Sequence, residues 1–147
     1  MPTDRDPLAL DEQVCFALAV AARSVVAAYK PVLEPLGLTH PQYLVMLALW
    51  QHDKLGLSEL SSTLSLDPGT ASPLVKRLEQ MGLVERVRSP HDQRSLQITL
   101  TDDGRAMRSR ALTVPPTMLE RLDMSEDDLA HANALLHRLI TAAHAAE

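Results

Sequence analysis

The chain has 147 residues, 46% of them hydrophobic, which is enough for one core and too little for two ordinary domains. Only 3% are aromatic and the apolar content is mainly Ala, Leu and Val, which favours helices and argues against an all-β sandwich. The formal net charge of −5 argues weakly against nucleic acid, no apolar stretch reaches the length needed to cross a bilayer, and the one cysteine, Cys15, can build neither an internal disulfide nor a multi-cysteine metal cage.

The N-terminus carries Asp4, Arg5 and Asp6 where a signal peptide would need an apolar run, so a cytoplasmic chain with no membrane partner is expected. Asp6 with Pro7, or Asp11, can open a first helix that runs through an Ala-rich segment to about Tyr29, where Pro31 and Pro35 end it. Thr39, His40 and Pro41 open a second helix, Gln42 to about His52. Its Leu44, Met46, Leu47, Leu49 and Trp50 are too apolar for a surface helix, so it should be central. Ser58 can cap a short third helix carrying Leu60 and Leu64, and Asp67 with Pro68 caps a fourth that runs to Met81 and stops at Gly82.

After Gly82 the period changes. Leu83 to Arg88 and Ser95 to Leu100 read as two strands joined by a polar turn, Ser89 to Arg94, which makes a hairpin with an exposed tip. Thr101 and Asp102 cap another helix, interrupted by Pro115 and Pro116. Ser125 opens the last, whose Leu129, Ala132, Leu136, Leu139 and Ala143 share one face. The expected fold class is mainly α (α+β), one domain over 1–147, with a winged helix-turn-helix at about 38–100 between flanking helices at about 7–34 and 102–146.

That order suits DNA. A helix about 10–12 Å across fits a major groove about 12 Å wide, with short polar side chains in its first turns reaching base edges. Asp67, Thr70, Ser72, Lys76 and Arg77 on the fourth helix, Arg86 on the first strand, and Asp92 and Arg94 at the hairpin tip are the candidate DNA-facing residues. Arg94 suits a minor groove, with Asp92 close enough to orient its guanidinium; ordinary polar turn residues are the plainer reading. Between Pro73 and Arg110 eight basic residues face five acidic, a local +3 that leaves −8 for the rest. A basic island in an acidic chain is either a phosphate-binding face or a solvated surface. Pro73 removes a backbone donor within the fourth helix, a bend tolerable in its first two turns.

The residues resemble the MarR family of dimeric winged-helix regulators and, within it, the organic-hydroperoxide-sensing OhrR branch. The matching stretches begin with Asp11 to Phe16, Tyr29 to Pro31 and Leu38 to Leu47. They continue with Leu66 to Thr70, Pro73 to Glu79 and the wing from Arg88 to Ser95. Cysteine in the Glu-Gln-x-Cys-Phe context points to the peroxide-sensing branch. The resemblance implies a repressor that is a homodimer through its terminal helices and reads a near-palindromic operator in double-stranded DNA; no cofactor is expected, and the scattered histidines give no metal-ligand constellation. It also implies a cysteine pocket furnished by tyrosines; the matching positions are Ala19, Tyr29 and His40, so only Tyr29 keeps the phenol. A second cysteine toward the C-terminus is absent, as in the one-cysteine type, and Pro68 stands where the family often has serine, which removes one phosphate contact.

A straight helix separates Cys15 from Tyr29 by about 21 Å, so if Tyr29 serves the thiol it does so from the partner subunit. A thiolate attacks a peroxide to give a sulfenic acid, and with no resolving cysteine a small cellular thiol would complete a mixed disulfide. The apolar neighbours Val14, Phe16 and Leu18 favour organic hydroperoxides over hydrogen peroxide. Four alternatives stay open: Cys15 as an apolar filler of an interface seam, a regulator gated by a small aromatic ligand with Cys15 incidental, a thiol peroxidase, and a purely architectural winged-helix dimer that nothing releases from DNA. His40 either assists the thiol or is a solvated residue at a helix start.

Overall fold

The computed structural model describes residues 5–89 and 92–147, and of residues 89 and 92–95 the backbone alone. They form two compact units, the first ending at Leu112 and the second spanning Thr113–Glu147.

In the first unit α1 spans Val14–Leu33. It starts later than Asp6 or Asp11 predicts, because those carboxylates serve short local turns: Asp6 Oδ1 accepts from the Leu8 N–H, and a 3-10 turn covers Leu10–Glu12. It also runs through Pro31, whose missing N–H falls in the last turn and costs a single ladder bond. A second 3-10 turn, Glu34–Leu36, ends at Gly37 with φ +72°, where the Leu38 and Gly37 N–H groups reach back to the Leu33 and Glu34 carbonyls. Val14–Leu36, 23 residues at a mean hydropathy of 1.4, is long and apolar enough to cross a bilayer by length and composition. This overturns the expectation from the sequence; Arg23 and Lys30 interrupt the run while the surrounding Ala, Val and Leu keep its average high.

α2, His40–His52, is central as predicted. A capping box pairs the Thr39 hydroxyl with the Gln42 N–H at 3.4 Å and the Gln42 side chain with the Thr39 N–H at 3.0 Å, and Tyr43, Val45, Met46, Ala48 and Leu49 are buried. A short strand β1, Lys54–Gly56, which the sequence reading missed, comes next. Three residues cannot show a period; only its pairing with the hairpin defines it. The helix after it, α3 (Leu57–Thr63), is capped by Gly56 rather than Ser58, with the Glu59 carboxylate accepting from the Gly56 N–H at 3.3 Å. α4 spans Pro68–Gln80, continues through Pro73, and buries Ala71, Val75 and Leu78.

Gly82, at φ +78°, ends α4 with the same pair of returning bonds as Gly37, from Leu83 to Leu78 and from Gly82 to Glu79. β2 (Val84–Ser89) and β3 (Asp92–Leu100) pair antiparallel, with β1 on the other side of β3. The strands reach further than predicted: Ser89 pairs with Asp92, with an irregularity at Arg88 and Ser89, so residues 89 and 92–94, expected in the turn, are in the strands; Pro90 and His91 lie outside the described residues. Cross-strand partners share a face, so Val84, Arg86 and Arg88 lie on the face of Leu100, Ile98 and Leu96.

α5, Asp102–Ala111, is capped by Thr101, whose hydroxyl accepts from the Gly104 N–H at 3.0 Å and donates to the Gly82 carbonyl at 2.6 Å. A Cβ on Gly104 would collide with the Leu83 carbonyl oxygen, so this close approach of backbones requires glycine. Trp50 Nε1–H donates to the Gly104 carbonyl at 2.9 Å, tying α2 to the same corner.

The second unit holds α6, Val114–Arg121, with Pro115 and Pro116 in its first turn, and α7, Glu126–Ala145. The prolines therefore start a helix of their own, because a missing N–H costs nothing where no intrahelical partner exists. A Ser125–Asp128 capping box opens α7, which buries no residue of its own.

Candidate functional site

The structure separates the predicted site residues into two groups. Cys15 sits exposed in the first turn of α1, where the N-cap Gln13 makes no side-chain cap bond. Tyr29 lies near the other end of the same continuous helix, about 21 Å away at 1.5 Å per residue, so the two do not meet within one chain. Tyr29 instead meets His40, with ring centroids 5.1 Å apart, and Tyr43 at 5.8 Å, both tilted pairs.

Tyr43 was missed by the sequence reading. It is the only other tyrosine and falls three residues after His40, a spacing that puts both on one helix face. Burial raises the Tyr29 phenol above its ordinary value and, with the nearby Tyr29 charge adding to it, pushes Tyr43 up to about 12. Burial also lowers His40. All three rings are therefore neutral at physiological pH, and a neutral phenol or imidazole can still donate a hydrogen bond to an anion. Beside them a mainly apolar pocket of about 520 Å³ opens between α1 and the start of α2, lined by Val26, Lys30, Glu34, Leu38, His40 and Pro41.

The second group lies on α4 and the hairpin. Asp67 takes the N-cap position of α4, but its side chain makes no cap bond; the backbone carbonyl accepts from Thr70 and Ala71 instead. Thr70, Lys76 and Arg77 are exposed and Ser72 is half-buried, which places short polar groups in the first turns and cations in the later ones. Arg77 Nη1 reaches Gln80 at 3.4 Å. Arg86 is exposed and its guanidinium is paired with Glu79 through Nε at 2.8 Å and Nη2 at 2.9 Å. The side chains of Asp92 and Arg94 lie outside the described residues.

The MarR family model matches residues 38–96. The organic hydroperoxide resistance transcriptional regulator of Bacillus subtilis (strain 168) is 40% identical over 139 residues, 95% of this chain and 95% of its own length. This chain belongs to the MarR family. Among solved structures, this MarR-family chain resembles reduced AbfR bound to DNA, with a TM-score of 0.77 and 31% identity over 94% of this chain and 95% of that one. Overoxidized AbfR bound to DNA gives a TM-score of 0.75 and 31% identity over 90% and 93%; AbfR is a protein of Staphylococcus epidermidis. The strand–helix order around α4 is thus that of a winged-helix regulator of transcription.

Proposed function

We propose that this MarR-family regulator is a cytoplasmic homodimeric repressor that releases a near-palindromic operator in double-stranded DNA when an organic hydroperoxide oxidises Cys15. One observation carries the reading: the only thiol is exposed in the first turn of an apolar helix, in a chain 40% identical to a regulator named for organic hydroperoxide resistance. The exposed apolar side chains of α1, among them Val14, Phe16, Leu18 and Val26, support a second copy as the surface that covers them. In such a dimer Tyr29, with His40 and Tyr43 behind it, can meet Cys15 of the partner subunit.

The chemistry balances without a cofactor. The Cys15 thiolate attacks one peroxide oxygen, the O–O bond breaks, and the other oxygen leaves with a proton as an alcohol. Cys15 is then a sulfenic acid. A small cellular thiol displaces its hydroxyl as water and leaves a mixed disulfide, too bulky for a packed seam. A shift of α1 then re-spaces the two copies of α4, and a two-fold protein on a two-fold site tolerates little misfit.

A gel shift on the DNA upstream of its own coding sequence tests this. Reduced protein should bind and release on adding an organic hydroperoxide with a small thiol, and Cys15→Ser should bind and stay bound. Release of Cys15→Ser by the oxidant would refute the mechanism. The pocket beside His40 favours a second reading, a small aromatic ligand as the signal, which predicts release by such a ligand from both proteins. The relatives are named as transcription regulators, which leaves a thiol peroxidase without support.

A further inference from the structure

We propose that Glu79 is a positioning residue for DNA recognition: it clamps Arg86 and so holds the hairpin at one angle to α4, and Arg86 is not a phosphate contact. The proposal rests on the DNA-binding reading and deepens it.

The geometry is fork to fork. Both carboxylate oxygens of Glu79 accept from Arg86, at 2.8 Å from Nε and 2.9 Å from Nη2. This arrangement fixes orientation as well as distance, which a single contact does not. Glu79 occupies the last full turn of α4, Arg86 is the third residue of β2, and the Gly82 turn joins them. The two ends of the connection are thus tied across its open side.

The pleat explains why Arg86 needs a carboxylate. It lies on the hairpin face of Val84 and Ile98, both buried, so its stem runs along the core face while neighbouring Glu85 and Val87 point the other way. About a third of each side chain is exposed, 35% for Arg86 and 36% for Glu79. The bond from Arg86 holds the Glu79 carboxyl below its ordinary range, with Lys76 on the same helix face adding a smaller push. Its Nε–H and one N–H of Nη2 are committed to Glu79, so the guanidinium charge is already answered by a carboxylate and its remaining N–H groups are weaker partners for a phosphate. The wing, Asp92 to Arg94 included, is carried on the far end of these strands, so the angle set here is multiplied along the hairpin.

Charge separates this role from simple electrostatics. Removing a carboxylate near a DNA face should tighten binding if only charge matters, because repulsion of phosphates falls. Positioning predicts the reverse. Binding to a duplex from upstream of its own coding sequence, measured by fluorescence anisotropy over a series of salt concentrations, should weaken about tenfold for Glu79→Gln and for Arg86→Gln. For Arg86→Gln the slope of log K against log salt should stay at the wild-type value, whereas loss of one phosphate contact per subunit would lower it by about 1.8 in a dimer. The double swap Glu79→Arg with Arg86→Glu should recover most of the affinity, and it covers the case in which a single variant folds poorly. In the free protein, amide hydrogen exchange in β2 and β3 should quicken in Glu79→Gln.

Glu79→Gln binding as tightly as wild type, or a slope that falls by a full contact in Arg86→Gln, would overturn the proposal while leaving the DNA reader intact. A wild-type chain that ignored the duplex would remove the DNA-binding reading and the proposal with it.

Discussion

α1 and α2 are both apolar helices and do opposite things. α2 buries six of its 13 residues, whereas α1 buries one of its 20, Leu33, at the end that enters the turn. α1 is mostly Ala and Val, while α2 carries its apolar surface on Leu, Met, Tyr and Trp. The difference lies in what surrounds them: α2 is enclosed by α1, α3, α4, α5 and the sheet, while α1 leaves Val14, Phe16, Leu18, Val20 and Val26 exposed in the single chain. This bare apolar helix is the surface that the proposed second copy would cover, and Cys15 lies exposed in its first turn.

The sharpest way to break this comparison is to damage each helix in turn. Leu49→Ala, in the fully buried stripe of α2, should cost roughly 2–5 kcal/mol of unfolding free energy, read by denaturant melts. Leu18→Asp on α1 should leave the helical circular dichroism signal in place and halve the sedimenting mass. An unchanged dimer in Leu18→Asp would mean that α1 is not the seam. A smaller effect follows from the α2 cap: Thr39→Ala removes half of a reciprocal pair and should cost about 1 kcal/mol.

The smallest effects are in titration. A phenol whose folded pKa is raised contributes stability that is complete below its unfolded value and lost as pH rises through the folded one. Ultraviolet titration should find Tyr29 titrating above its ordinary value and Tyr43 at about 12, with stability falling as pH rises through their folded values. His40 has the opposite sign. Its folded pKa is lowered, so the stability it contributes is present above pH 6.5 and is lost as pH falls through the folded value. An ordinary tyrosine titration near 10 would remove the cluster from its sheltered place.

Much of the fold was legible because it is punctuated. Thr39, Thr101, Ser125 and Gly82 are local signals, and each marks an element boundary where the structure puts one. What was not legible depends on contacts distant in sequence. β1 exists only because Lys54, Leu55 and Gly56 pair with Thr99, Ile98 and Gln97, and α1 extends past Pro31 because a proline in a final turn costs little. The site divides the same way. The polar first turns of α4 followed from helix phase. The meeting of Tyr29 with Tyr43, and the capture of Arg86 by Glu79, needed the fold of the α1–α2 turn and of the hairpin.

The most direct measurement follows DNA release and intact protein mass in one sample as an organic hydroperoxide is added with a small thiol. If Cys15 is the switch, the fraction of DNA released should rise in step with the fraction of chains carrying one thiol adduct, and Cys15→Ser should show neither. Release that runs ahead of the adduct, or full modification of Cys15 with the DNA still bound, would contradict it.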